Sequence, residues 1–113
     1  MLSKDKRLNL KRDFQWVASG EKISSEIVKL FYRYGENNQA QVGIAVSSSV
    51  FKKAVQRNRA RRLVSTAFEA LYPNLSQQVK IIAIPRQGVL KLNPAKILNY
   101  LKSLLKKRNL LKK

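Results

Sequence analysis

The chain contains no cysteine and no histidine. The first absence excludes disulfides and thiolate metal sites. The second removes the commonest general base and the commonest zinc ligand. Acids are scarce too: Asp5, Asp13, Glu21, Glu26, Glu36 and Glu69 are the only six, against 24 Lys and Arg in 113 residues, a net charge of +18. They are scattered, with no close pair along one element to hold a metal ion, so no catalytic residue and no metal site is expected in the chain itself. No apolar run approaches the ~20 residues a membrane span needs. Met1–Arg7 carries charges with no apolar stretch behind them, which predicts no signal peptide. These absences lead us to expect a cytoplasmic protein with no membrane partner and no small-molecule substrate.

The residues that are present describe a folded domain with a cationic surface. Hydrophobic residues make up 44% of the chain and fall in periodic segments, enough for one modest core, so residues 1–113 read as a single domain. The charge is concentrated. Six basic residues and no acid lie between Lys52 and Arg62, and ten basic residues but no acid follow Glu69. Interspersed signs would avoid the self-repulsion that such clustering costs, so solubility alone does not account for it. A polyanion is the natural partner. No segment pairs a basic face with a broad aromatic face, which disfavours a membrane surface and leaves nucleic acid.

The pattern of elements is α-β-β-α-β-α. Lys11–Ser19 reads as a short helix stopped by Gly20, with Phe14, Val17 and Ala18 near one side. Glu26–Tyr34 is a strand by its β-branched and aromatic content, Gly35–Gln39 a turn, and Gln41–Ser47 a partner strand, making a hairpin. A long helix is predicted from about Val50 to Tyr72, with Ala60, Leu63, Val64, Ala67, Phe68 and Leu71 as its buried stripe. Val79–Ile84 is a short central strand ending at Pro85. Asn93-Pro94 then caps a last helix whose apolar face is Ile97, Leu98, Leu101, Leu104 and Leu105.

Two places carry chemistry. Lys52-Lys53-Ala54-Val55-Gln56-Arg57-Asn58-Arg59-Ala60-Arg61-Arg62 puts cations on every side of the long helix except its apolar stripe. Arg59 and Arg62 point away from that stripe, while Lys53, Arg57 and Arg61 form a like-charged i, i+4 row. Cations near a helix N-terminus oppose the macrodipole by ~0.3–1 kcal/mol each. A solvated face would intersperse glutamates, and Glu69 is the only acid on this helix. Arginine suits phosphate because its planar fork donates two parallel hydrogen bonds. The second place is the first strand, where Lys29, Phe31 and Arg33 alternate onto one face and Val28, Leu30, Tyr32 and Tyr34 onto the core face. A Lys-Phe-Arg face suits unpaired bases, with stacking in the middle and phosphate contacts at the edge. Coverage of Phe31 by a helix is the equally weighted alternative, and Phe14 leans toward core. Gly43, Ala45 and Ser47 leave one face of the next strand bare enough for close approach.

The run Lys53–Leu63 resembles the signature helix of the bacterial ribonuclease P protein subunit, basic-Ala-x-x-Arg-Asn-Arg-x-basic-Arg-Leu. It follows a Val42-Gly43-Ile44 strand as in that family. The likeness extends to Arg7-Leu8, Lys11-Arg12-Asp13-Phe14, Gly20, the Ile81–Ile84 strand with Arg86 and Gly88, and the basic last helix. The resemblance implies an α+β fold of the ribosomal protein S5 domain 2-like type, a small sheet packed by helices with a left-handed βαβ crossover. It implies an RNA-binding subunit of an endoribonuclease that removes the 5′ leader of precursor tRNA, one protein per catalytic RNA, with the chemistry in the RNA. It further implies no cofactor in the protein and magnesium with the RNA. Lys52 belongs to the basic cluster, and by resemblance Lys53, Arg57, Asn58, Arg59, Arg61 and Arg62 face the catalytic RNA. A cleft holding Phe14 and Phe31, with Lys29 and Arg33 beside them, takes the leader. Three places depart from the family pattern: Ser48-Ser49 where a Lys pair is common, Ser65-Thr66 where Arg-Glu is usual, and Ala18 where a second aromatic often stands.

The rival is a ribosomal or other RNA-scaffolding protein, which size, charge and architecture fit equally well. A helix-turn-helix DNA binder fits less well, because this basic helix follows a strand rather than another helix.

Overall fold

The computed structural model describes residues 2–36 and 38–112; Met1, Asn37 and Lys113 lie outside it. The elements in chain order are α1 (Leu10–Ala18), β1 (Glu21–Ser24), β2 (Val28–Tyr34), β3 (Gln41–Ile44), α2 (Ala54–Leu71), β4 (Val79–Pro85) and α3 (Pro94–Lys107). Short 3₁₀ turns stand at Lys4–Lys6, Tyr72–Asn74 and Gln87–Lys91.

Each helix begins or ends for a local reason. The Asn9 side chain accepts the Arg12 amide at 3.2 Å, and Asn93 accepts the Lys96 amide at 2.9 Å ahead of Pro94, so both caps use the side-chain oxygen that orphan N–H groups require. Asn109, at φ 59, closes α3 in a left-handed conformation, and the Leu110 amide returns to the Leu105 carbonyl at 3.0 Å. The long helix starts later than expected, at Ala54 rather than Val50. Phe51 is fully buried and its amide turns back to the Ser47 carbonyl at 3.0 Å, while Lys53 is still extended.

The sheet corrects the expected topology. Its order is β1-β2-β4-β3, with β1–β2 and β2–β4 antiparallel and β3–β4 parallel. The predicted hairpin of residues 26–34 with 41–47 does not form: β2 turns on the unforeseen β1 instead, and β4 inserts between β2 and β3. The central strand is thus the most apolar one, as burial on both faces demands. The connection at 35–40 is therefore a crossing over the start of β4, not a hairpin turn. Within it, the Gly35 amide donates to the Gln78 carbonyl at 2.7 Å and the Tyr72 hydroxyl donates to the Ala40 carbonyl.

One face of the sheet makes the main core with α2 and α3. The predicted stripe of α2 is buried apart from half-buried Leu63, and Ile97, Leu101 and Leu105 of α3 are fully buried, with Leu98 and Leu104 at the margin. Tyr34, assigned to the core face, is 49% exposed, because the sheet ends there. The other face holds a smaller cluster of Leu8, Val17 and Ile82, flanked by Leu10, Phe14, Phe31, Ala45 and Ile84, under α1 alone. The outer edge of β3 is covered by the start of the chain, where the Leu8 amide donates to the Val42 carbonyl at 3.1 Å.

Candidate nucleic-acid interface

The strand register arranges the α1 face of the sheet in three rows. Phe31, Ile82 and Gly43 lie side by side in the middle row. Lys29, Ile84 and Ala45 lie on one side of it, and Arg33, Lys80 and Gln41 on the other. α1 runs along the middle row, crossing the strands from β3 to β2. At its start, Leu10 sits so close that a Cβ on Gly43 would lie 2.6 Å from Leu10 Cδ2. At its end, a Cβ on Gly20 would lie 2.5 Å from the Tyr32 carbonyl oxygen. The bare backbone at Gly43 is therefore filled by the chain's own leucine rather than left open for a ligand.

This placement divides the predicted cleft residues. Phe14 and Phe31 are half-buried partners in the cluster below α1, each with an edge left accessible, so the core and the surface readings of these rings both hold in part. Lys29 lies with its ammonium 5.1 Å from the centre of the Phe31 ring, a cation–π geometry. Together with half-buried Ile84 and Ala45, these residues leave a part-exposed strip along one flank of α1, the candidate groove. Arg33 does not join it. Its Nη1 donates to the Trp16 carbonyl at 3.2 Å and to Ser19 Oγ at 3.0 Å, and its guanidinium lies 4.7 Å from the centre of the Trp16 ring. It caps the C-terminal end of α1, where a cation meets the negative end of the helix dipole.

β3 ends at Ile44, and residues 45–53 lead from beside the Lys29–Ile84 row into the basic start of α2. Lys52, Lys53, Asn58, Arg59 and Arg62 are exposed. Arg57 and Arg61 are half-buried. Arg57 reaches back to the carbonyls of Phe51 at 2.8 Å and Lys52 at 3.1 Å, and Arg61 donates to Asn58 Oδ1 at 3.3 Å. The entry to α2 has no side-chain cap, and Arg57 ties it down instead. Val55, 76% exposed among these cations, adds an apolar spot that no part of the core uses. Ser48 and Ser49 are exposed in the segment between β3 and α2, and Ser65 is buried.

Two residues with chemical potential were missed. Trp16 lies off the apolar stripe of α1, and that offset was readable in the sequence. Lys80 interrupts the apolar run 79–84, also a readable signal. It is only 5% exposed in the central strand, with its stem against bare Gly35 and its ammonium donating to the Gln39 carbonyl. Burial pushes its pKa below the ordinary value, opposed by the charge of Asp13. Asp13 in turn pairs with Arg12 at 3.0 Å, and that hydrogen bond and charge raise the Arg12 pKa. Among the described residues no acidic cluster could hold a metal ion, and no helix is long and apolar enough to cross a membrane.

These features define a small α+β domain with a cationic helix entry and a candidate aromatic groove along α1. Comparison gives the class a family. The family model described as Ribonuclease P matches residues 2–109. The ribonuclease P protein component of Legionella pneumophila (strain Lens) is 36% identical over 89 residues, covering 78% of this chain and 75% of the relative. That of Rippkaea orientalis is 32% identical over 116 residues, covering 97% and 91%. Among solved structures, the RNase P protein from Thermotoga maritima in complex with 1-(4-fluorophenyl)-2-thiourea matches with a TM-score of 0.78 at 26% identity, covering 88% of this chain and 97% of that one. The RNase P protein from Staphylococcus aureus matches with a TM-score of 0.76 at 26% identity, covering 100% and 97%. The chain belongs to the ribonuclease P protein family, the protein components of a tRNA-processing endoribonuclease that also has an RNA subunit.

Proposed function

We propose that the protein binds the RNA subunit through the exposed cations of α2 and holds the single-stranded 5′ leader of precursor tRNA in the groove between α1 and the sheet. Leader removal is assisted in this way while the RNA, with magnesium, performs the hydrolysis. The observation that carries this reading is the adjacency of two unlike surfaces. A groove of aromatic edges with a lysine suits unpaired bases, and a helix entry rich in arginine, with no acid before Glu69, suits a folded RNA's phosphates. Residues 45–53 join the two, so one protein could touch both RNAs at once. Lys52, Lys53, Asn58, Arg59 and Arg62 are the contacts with the RNA subunit; Arg61 reaches it from the border of the stripe. Arg57 contributes the N–H groups that its two carbonyl partners leave free. Phe14, Lys29 and Phe31 contact the leader, and Arg33 supports that site only by holding α1 in place. One protein per RNA and a cytoplasmic location complete the proposal.

Reconstitution tests it. The protein is mixed with a bacterial ribonuclease P RNA at low magnesium and 5′ leader cleavage is followed, with protein alone and RNA alone as controls. The expected outcome is cleavage in the mixture only, lost on combined Arg59→Ala and Arg62→Ala substitution. Tight RNA binding with no stimulation would instead support an RNA-scaffolding role.

A further inference from the structure

α1 has a second flank. Across the helix from the Phe14 side lies a recess lined by Arg12, Asp13, Trp16, Glu36, Gln41 and Lys80. Trp16 is two positions on from Phe14, roughly 200° around the helix, so it cannot share the packing of Leu10, Phe14 and Val17 against the sheet. It is the only tryptophan of the chain and is 39% exposed. An indole contributes most to stability when buried, so packing gives no reason for this residue at this position. It is not loose, however. Arg33, anchored to the Trp16 carbonyl and Ser19 Oγ, lies 4.7 Å from the ring centre. Arg33 thus covers one face of a fixed indole that lines the recess beside Arg12, and the other face is the one left for a ligand.

We propose that Trp16 is a stacking plate for one unpaired base of an RNA strand that passes beside Arg12 and Arg33. The proposal rests on the reading of the protein as an RNA binder but not on the leader groove, which lies across α1. Every base has a π-face, so stacking on the indole places no strict demand on sequence. Arg12 is paired with Asp13 through Nε and Nη2, and Arg33 Nη1 is held by the Trp16 carbonyl and Ser19 Oγ, so each offers only its remaining N–H groups to the phosphates on either side of the stacked base. Asp13 and Glu36 keep a phosphate out of the recess itself, and their oxygens accept from a base's amino groups. A duplex presents no free base face and is excluded.

Because Trp16 is the sole indole, its emission reports on the site directly. The full chain is titrated with a fluorescein-labelled single-stranded RNA oligonucleotide of mixed sequence, following dye anisotropy and tryptophan emission in parallel, with a labelled blunt-ended RNA duplex as comparison. Saturable quenching that tracks the anisotropy with the single strand but not with the duplex is the expected result. Trp16→Ala should then bind roughly 5- to 150-fold more weakly, the effect of one lost stack, and Trp16→Phe should restore most of the loss. Saturable anisotropy with unchanged tryptophan emission overturns the plate and leaves the RNA-binding reading standing, with Trp16 serving as packing for Arg33. No binding by either signal overturns both.

Discussion

Arg57 and Arg59 are two residues apart and chemically identical, yet the fold uses them differently. Arg57 holds the carbonyls of Phe51 and Lys52 at the uncapped entry to α2, whereas Arg59 is exposed. Arg57→Ala should therefore destabilise the free protein by about 1 kcal/mol, the net worth of such hydrogen bonds. Arg59→Ala should stay within about 0.5 kcal/mol of the parent, as surface substitutions do. Urea unfolding of both variants without RNA distinguishes them. Gly20 makes a different demand: a methyl group there meets the Tyr32 carbonyl, which is backbone and cannot yield. Gly20→Ala should cost about 1–3 kcal/mol, as overpacking does, and a midpoint unchanged in urea would show that the backbone admits the methyl group without strain. At this scale the sequence was informative where chemistry is periodic. The alternation of Lys29, Phe31 and Arg33 and the outward direction of Arg59 and Arg62 both hold. It could not show that Arg33 would be drawn to the end of α1, because that depends on a helix docking across the strand.

Between elements, the run Gly35–Gln39 shows why strand existence was legible and strand pairing was not. A glycine and four polar residues between two apolar runs satisfy the rules for a hairpin turn. The alternative, a crossing over a strand supplied some forty residues later, leaves no local trace. β1 was missed because only one of its four residues, Ile23, is buried. The residues of the two candidate surfaces were readable within single elements, but their nearness follows from the parallel β3–α2–β4 connection. Phe31→Ala should weaken binding of leader-bearing precursor tRNA to the holoenzyme by ~1–3 kcal/mol, the value of one stack. Equal loss with leaderless mature tRNA would mark the ring as core only. On α2, removing Arg59 and Arg62 together should lower the slope of log affinity against log salt by about 2, close to one unit for each phosphate contact.

At the scale of the whole molecule, a net charge of +18 sets two quantities against each other. Salt screens self-repulsion, so the free protein should become more resistant to urea as salt rises. Over the same range RNA affinity should fall, by roughly 10³-fold between 50 and 200 mM if six phosphates are contacted. Parallel unfolding and binding titrations check the opposite signs; binding that ignores salt would refute the electrostatic account. Lys80 adds a pH dependence. Its pKa in the fold lies below the 10.5 of the free side chain, mainly through burial, so the unfolded chain holds the proton to higher pH. Stability from this group is present above 10.5 and lost as pH falls through the folded value. Tyr72, raised by burial, acts oppositely above 10. Lys80→Met should flatten the rise in urea midpoint that the parent shows as pH approaches 10.5.

The position of β4 also has a temporal side. The strand at the middle of the sheet, with β2 on one side and β3 on the other, is residues 79–85, so β3 must wait for it before it can pair with any strand. A chain leaving the ribosome presents the basic stretch 52–62 well before the sheet that will orient it can close. Until residue 85 has emerged, only β1 and β2 can pair, and two strands alone are marginal in water. The sheet is thus completed late, and the cationic helix is held in place by the part of the chain synthesised after it.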